Sequence, residues 1–255
     1  MGDRSHPRRV GIVGDPPLPH GDEIANEAPK SSETFDPTRD GFGFKNPLGM
    51  APKRDPNGGK TFLRRLDPFL YGNGLCLGMA AAALLGFSKN PNAEGANAEG
   101  ANAGRLSELP LSPEILDELF VLHARQFRPK AILAVVLDWL KNGGGKPDGV
   151  PRRIRLPEGG DPHGDPHILC FGPRMNRGFF RCMRHAHAVV PYRIENAPDE
   201  SRVFVYDPNY SKSRSRYVSF GRDGGFRYGG FSSEGGWGIT LLPLSAISPI
   251  GGRPI

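Results

Sequence analysis

Tyr71-Gly-Asn-Gly-Leu-Cys-Leu-Gly-Met-Ala80 joins a glycine-rich turn to an apolar, alanine-rich run that ends near Gly86. The run reads as a buried helix with Cys76 in its first turn. A helix N-terminus carries partial positive charge and free N–H groups, a setting that favours the thiolate, the nucleophilic form of cysteine. Gly74 and Gly78 flank the sulfur and let backbone N–H groups come close to a substrate carbonyl. The N–H of Cys76 is itself a candidate oxyanion donor. The same cysteine among alanines also reads as a small core residue, so its meaning depends on what the rest of the chain brings to it.

Two downstream segments bear on that choice. His187 opens the alternating stretch His187-Ala-Val-Val-Pro-Tyr-Arg-Ile194, which predicts a strand with Ala188, Val190, Tyr192 and Ile194 on one face and Val189 on the other. An imidazole at a strand start can face a helix terminus across a cleft. His185 would share the face of His187, and His187 is preferred because it directly precedes the apolar run. Asp207 follows the apolar Val203–Tyr206 stretch. The end of that strand can approach the start of its neighbour, where a carboxylate accepts from the imidazole and fixes its tautomer. Asn209 is a second candidate for that orienting role. Asp-Pro-Asn is also an ordinary turn sequence, and a lone strand histidine is most often structural. Cysteine, then histidine, then carboxylate is nonetheless the order of a thiol catalyst.

Helices precede strands along the chain. Ser112-Pro-Glu opens a second helix, with serine at the N-cap, proline at the first helical position and glutamate in the first turn. Its expected apolar face is Ile115, Leu116, Leu119, Phe120, Leu122 and His123. Pro129 starts a third helix over 130–142, with Ile132, Leu133, Val136, Leu137 and Leu140 expected inward and Gly143-Gly-Gly145 ending it. Strands are expected at 168–171, 188–194, 203–206, 217–220 and 239–242, each bounded by Gly, Pro, Asn or Asp. Helices first and an antiparallel sheet second is an α+β pattern.

Composition bounds the domain. With 35 glycines and 26 prolines among 255 residues, and 37% hydrophobic residues, loops must be extensive. Residues 1–40 are rich in Pro, Asp, Glu and Arg without an apolar period, and are expected to form a disordered or loosely attached arm. One domain is expected over 41–250, with Phe42, Phe44 and Leu48 pinning its irregular start. Asn92-Ala-Glu-Gly-Ala-Asn-Ala-Glu-Gly-Ala-Asn-Ala-Gly104 repeats imperfectly and reads as a flexible loop at 90–105.

The net charge of +6 comes with basic clusters at Arg152, Arg153 and Arg155, at Arg174, Arg177, Arg181 and Arg184, and at Lys212, Arg214 and Arg216. No helix-turn-helix, RNA-recognition or zinc-finger pattern accompanies them, so a solvated basic surface is expected and specific nucleic-acid binding is not. Three cysteines, Cys76, Cys170 and Cys182, do not make a secreted disulfide framework. A Cys170–Cys182 bridge would leave Cys76 free. The N-terminus lacks the apolar core of a signal peptide, and no apolar run approaches a membrane span. The expectation is a soluble protein, cytoplasmic by default.

Gly-Leu-Cys-x-Gly-Met-Ala, His-Ala-Val-Val-x-Tyr and Val-Tyr-Asp-Pro-Asn, in this order, resemble the bacterial papain-like cysteine peptidase superfamily. The resemblance spans about 41–245 and includes a Gly-Phe-x-Phe-x-Asn lead-in and a Leu-Asp-Trp-Leu helix. It implies a papain-like α+β fold, in which the helix carrying the nucleophile packs on an antiparallel sheet carrying the base. It also implies a Cys76–His187–Asp207 triad hydrolysing peptide or other amide bonds without a cofactor. Papain-type enzymes place an oxyanion-donating glutamine six residues before the cysteine. Here that position is Leu70, and Asn73 is the nearest side-chain amide, though it also reads as a turn residue between two glycines.

Other chemistries stay in view. Acyl transfer or deamidation of the transglutaminase kind uses the same nucleophile with a different acceptor. A non-catalytic interaction module would keep a degenerate site, and Leu70 speaks for it. Asp161-Pro-His-Gly-Asp-Pro-His167 with Cys170, Cys182, His185 and His187 contains metal-ligand residue types, but its spacings match no standard zinc pattern, so no metal is expected.

Overall fold

The computed structural model describes residues 34–47, 74–89, 105–141, 147, 149–159, 164–173 and 186–248. Within them the chain is α+β, with helices packed against an antiparallel sheet. The helices are α1 (Pro37–Asp40), α2 (Cys76–Lys89), α3 (Pro113–Ala124), α4 (Pro129–Lys141) and α5 (Val150–Arg153). The strands are β1 (His167–Pro173), β2 (His187–Asn196), β3 (Glu200–Tyr206), β4 (Tyr217–Gly221), β5 (Phe226–Tyr228), β6 (Phe231–Ser232) and β7 (Trp237–Pro243).

The helix α2 is central because its sequence leaves it no polar face. Every residue from Leu75 to Leu84 is buried, the expected fate of a helix that is apolar all round. Along one side α3 lies very close. A Cβ on Gly78 would sit 2.1 Å from the Leu119 carbonyl oxygen, so only glycine permits this approach. Ser112 caps α3 as its sequence requires, its hydroxyl accepting from the Ile115 N–H at 3.3 Å. Leu119, Phe120, Leu122 and His123 of α3 are buried.

The seven strands follow the order β6-β5-β4-β3-β2-β1-β7. Strands β2 to β6 form a meander of successive antiparallel neighbours, and β7 returns to pair with the free edge of β1. The sheet curls until its two ends meet, with the Phe231 ring edge-on to Trp237 at 4.6 Å. One face packs on α2 through Ile168, Ala188, Val190, Tyr206 and Leu242. The other encloses a second core of Leu169, Phe171, Val189, Val203, Val205, Val218, Phe226 and Ile239.

The alternation expected along β2 holds only to Tyr192. The register with β3 shifts between Pro191 and Arg193. Pro191 has no N–H for the ladder, and a bulge is where a proline is tolerated within a sheet. One extra residue reverses the parity, so Tyr192 packs on the helix side while Ile194 packs in the second core.

The inward face of α4 also differs from expectation. Ala131 and Val135 are buried, whereas Leu133, Leu137 and Leu140 are exposed. Polar demand at the sheet edge decides the rotation. Asp138 accepts from the Leu241 N–H of edge strand β7 at 2.9 Å and from Arg153 at 2.6 Å. That places Asp138, not the leucines, against the sheet and covers an edge N–H.

Residues 34–40, on the N-terminal side of the expected boundary at 41, pack on the domain. Thr34 bridges to Glu158, and Phe35 is buried against Phe87, Tyr192 and Tyr206. Asp36 caps α1 and pairs with Arg214, which holds its carboxyl below the usual range against the opposing effect of burial. The rest of the expected arm, 1–33, the repeat at 90–104 and Leu48 lie outside the described residues. Among the described residues no helix is long and apolar enough to cross a membrane.

Candidate active site

Cys76 is the first residue of α2, and the helix begins as the Met79 N–H bonds to the Leu75 carbonyl at 2.9 Å. Gly74 precedes it at φ +81, in the left-handed region. The sheet contributes the other groups. His187 is the first residue of β2, and Asp207 follows the last residue of β3, so adjacent antiparallel strands bring one strand's start beside the other's end. The imidazole Nε2 lies 3.0 Å from Asp207 Oδ1, with both side chains buried.

Both oxygens of Asp207 accept hydrogen bonds. Oδ1 also accepts from the Asn209 N–H at 2.8 Å, and Oδ2 accepts from the Tyr228 hydroxyl. Burial would raise its pKa, but His187, Tyr228 and the Asn209 N–H together hold it below the usual carboxylate range. Burial likewise works against the His187 cation, but the charge and hydrogen bond of Asp207 outweigh it. Cys76 acts in the same direction, and the pKa is raised to about 10. His187 and Asp207 are thus brought together as a buried pair.

Aromatic packing fixes the imidazole plane. Phe171, directly opposite His187 in the β1–β2 register, lies at 6.4 Å and nearly parallel to it. Tyr228 and Phe231 lie nearly parallel at 6.5 and 5.8 Å. Behind them the Arg216 guanidinium covers the Tyr210 ring at 3.9 Å and approaches the Tyr228 ring at 5.3 Å. The Tyr228 phenol is raised well above its ordinary pKa by burial and by the Asp207 charge, so it remains a donor.

Asn209 does not orient His187. Its side-chain oxygen accepts from Asn46 Nδ2 at 3.0 Å, and its N–H caps Asp207. Asp-Pro-Asn is therefore both a turn and part of the site. Asn73 and Leu70 lie outside the described residues, as do Cys182, His185, Asp161 and His163. Cys170 is a free thiol whose pKa burial pushes strongly up, with Cys76 and Asp138 adding to the rise. His167 accepts at Nδ1 from the Arg155 N–H at 3.1 Å, and among the described residues no group of His, Cys, Asp and Glu is arranged to hold a metal ion.

The site is enclosed, with Cys76 4% and His187 6% exposed. The clefts around Pro147, Asp199, Glu200, Arg222 and Gly224 include neither residue. Reading the sequence did not find Tyr228 or any role for Asn46. Tyr228 sits in a three-residue strand between glycines, too short for a periodic signal. Asn46 stands in the aromatic lead-in, where nothing local marks a buried amide.

Comparison of the chain with family models, with curated proteins and with solved structures finds no match in any of the three.

Proposed function

We propose that this protein is a thiol-dependent hydrolase of peptide or other amide bonds, working through Cys76, His187 and Asp207 on a papain-like arrangement of helix and sheet. One observation carries the reading: a buried imidazole is bonded at Nε2 to a carboxylate that accepts three hydrogen bonds, while the side chain of a helix-N-terminal cysteine acts on the same ring. Asp207 holds Nε2, which leaves Nδ1 to take the thiol proton.

The sulfur then attacks the acyl carbon and forms a C–S bond, and the carbonyl electrons move to oxygen. The Cys76 N–H at the helix start supports that oxyanion. Collapse breaks the C–N bond as the imidazolium protonates the leaving amine. Water, deprotonated by the same imidazole, attacks the thioester and releases the acid, and the thiol regains its proton. An amine in place of water would give acyl transfer through identical steps.

Iodoacetamide labelling at pH 7 followed by peptide mass mapping tests the nucleophile. Cys76 should be alkylated at least ~10-fold faster than Cys170, and His187→Ala should remove most of that advantage. Preferential labelling of Cys170, or labelling of Cys76 unmoved by His187→Ala, overturns the reading. Product masses from peptide substrates with and without methylamine then separate hydrolysis from transfer, and Cys76→Ala should abolish either. A Cys76→Ala protein with full biological effect would instead establish a non-catalytic module.

A further inference from the structure

The turn before α2 and the turn after β3 come from distant parts of the chain, and one buried side chain bonds both. Asn46, 7% exposed, accepts at Oδ1 from the Leu75 N–H at 2.6 Å and donates from Nδ2 to Asn209 Oδ1 at 3.0 Å. Its own N–H donates to the Pro208 carbonyl at 2.8 Å. The amide orientation follows from its partners, because the Leu75 N–H can meet only an oxygen. The chain around it leaves no slack: a Cβ on Gly74 would lie 2.5 Å from Asn46 Nδ2.

We infer that Asn46 is a positioning residue that sets the separation of the Cys76 sulfur from the His187 imidazole. Leu75 is covalently joined to Cys76. Pro208 and Asn209 are joined to Asp207, which holds His187. A single planar amide therefore measures the distance between the nucleophile's turn and the base's support. Asn46 hydrogen-bonds to none of Cys76, His187 and Asp207, so it acts on them only through the turns it holds. The inference rests on the Cys–His reading above and deepens it.

The test is the pH dependence of Cys76 alkylation by iodoacetamide, which needs no knowledge of the substrate. A sulfur paired with an imidazolium reacts at pH 6, whereas an unpaired thiol reacts appreciably only near pH 8.5 and above. Asn46→Ala should lower the rate at pH 6 about tenfold or more and leave the rate at pH 9 nearly unchanged. Asn209→Ala, which removes only the acceptor at the turn surface, should shift the profile the same way by less. It also serves if Asn46→Ala does not fold.

A purely structural role would lower stability without changing the profile's shape. Folded variants that keep the wild-type profile overturn the positioning role alone. A wild-type profile of an ordinary thiol, unmoved by His187→Ala, overturns the Cys–His reading and the positioning role with it.

Discussion

At the scale of single residues, the site is a chain of groups each held by the next. Asp207 would be an unfavourable buried charge if any of its donors were missing, because an isolated carboxylate away from water protonates instead of staying ionised. Tyr228 supplies the only side-chain hydroxyl on Oδ2 among the described residues. Tyr228→Phe should therefore raise the Asp207 pKa and move the acid limb of Cys76 alkylation to higher pH. It should also cost about 1–3 kcal/mol of stability, the penalty of an unsatisfied buried acceptor. Chemical denaturation and the alkylation profile measure the two effects separately, and an unmoved acid limb would remove Tyr228 from the network. The ring would still pack against Phe171 and Phe231, so the two effects belong to the hydroxyl.

At the scale of elements, the position of α2 depends on close approach as much as on apolar area. Gly78 lets α3 come near enough for the Leu119 backbone to touch it. Gly78→Ala should destabilise by about 1–3 kcal/mol as the helices are pushed apart, despite alanine's better helix propensity. Thermal unfolding reads this directly, and a neutral or stabilising result would show that the contact yields without penalty. The caps and bounds of α3 were legible from Ser112-Pro-Glu, because capping is local chemistry. The rotation of α4 was not, because it depends on Asp138 reaching an N–H on β7, 103 residues away in sequence. The face reversal in β2 lay between these cases: Pro191 was visible as a residue without a donor, but a bulge exists only relative to a partner strand.

At the scale of the whole molecule, three buried ionisable groups shape the pH dependence of stability. The pKa of His187 is raised from 6.5 to about 10, so its contribution is full below 6.5 and is lost as pH rises through about 10. Asp207 is lowered from 3.8, so its contribution is present above 3.8 and is lost as pH falls through the folded value. His123, buried within α3 with no partner at Nδ1, is lowered by burial from 6.5 to about 4. Its contribution is present above 6.5 and is lost as pH falls through about 4, a loss of about 3 kcal/mol for a shift of that size. Thermal melts across pH should show maximal stability near neutrality. His123→Gln should flatten the fall between pH 6.5 and 4 while leaving the alkaline side unchanged. An acid limb identical to wild type would show that His123 is not buried neutral.

Local chemistry in the sequence determined the α+β class, the three long helices and the bounds of most strands. Turns, caps and apolar periods act within a few residues, so they can be read without coordinates. It also singled out Cys76, His187 and Asp207, because a glycine-flanked helix start and two strand ends are local features. Only the tertiary structure decided that His187 and Asp207 pair, that Asn209 supports Asn46 and not the imidazole, and that Tyr228 bonds the second carboxylate oxygen. Those are pairings between buried donors and acceptors far apart along the chain. Burial makes each pairing obligatory, but nothing in a neighbouring residue announces which partner will satisfy it.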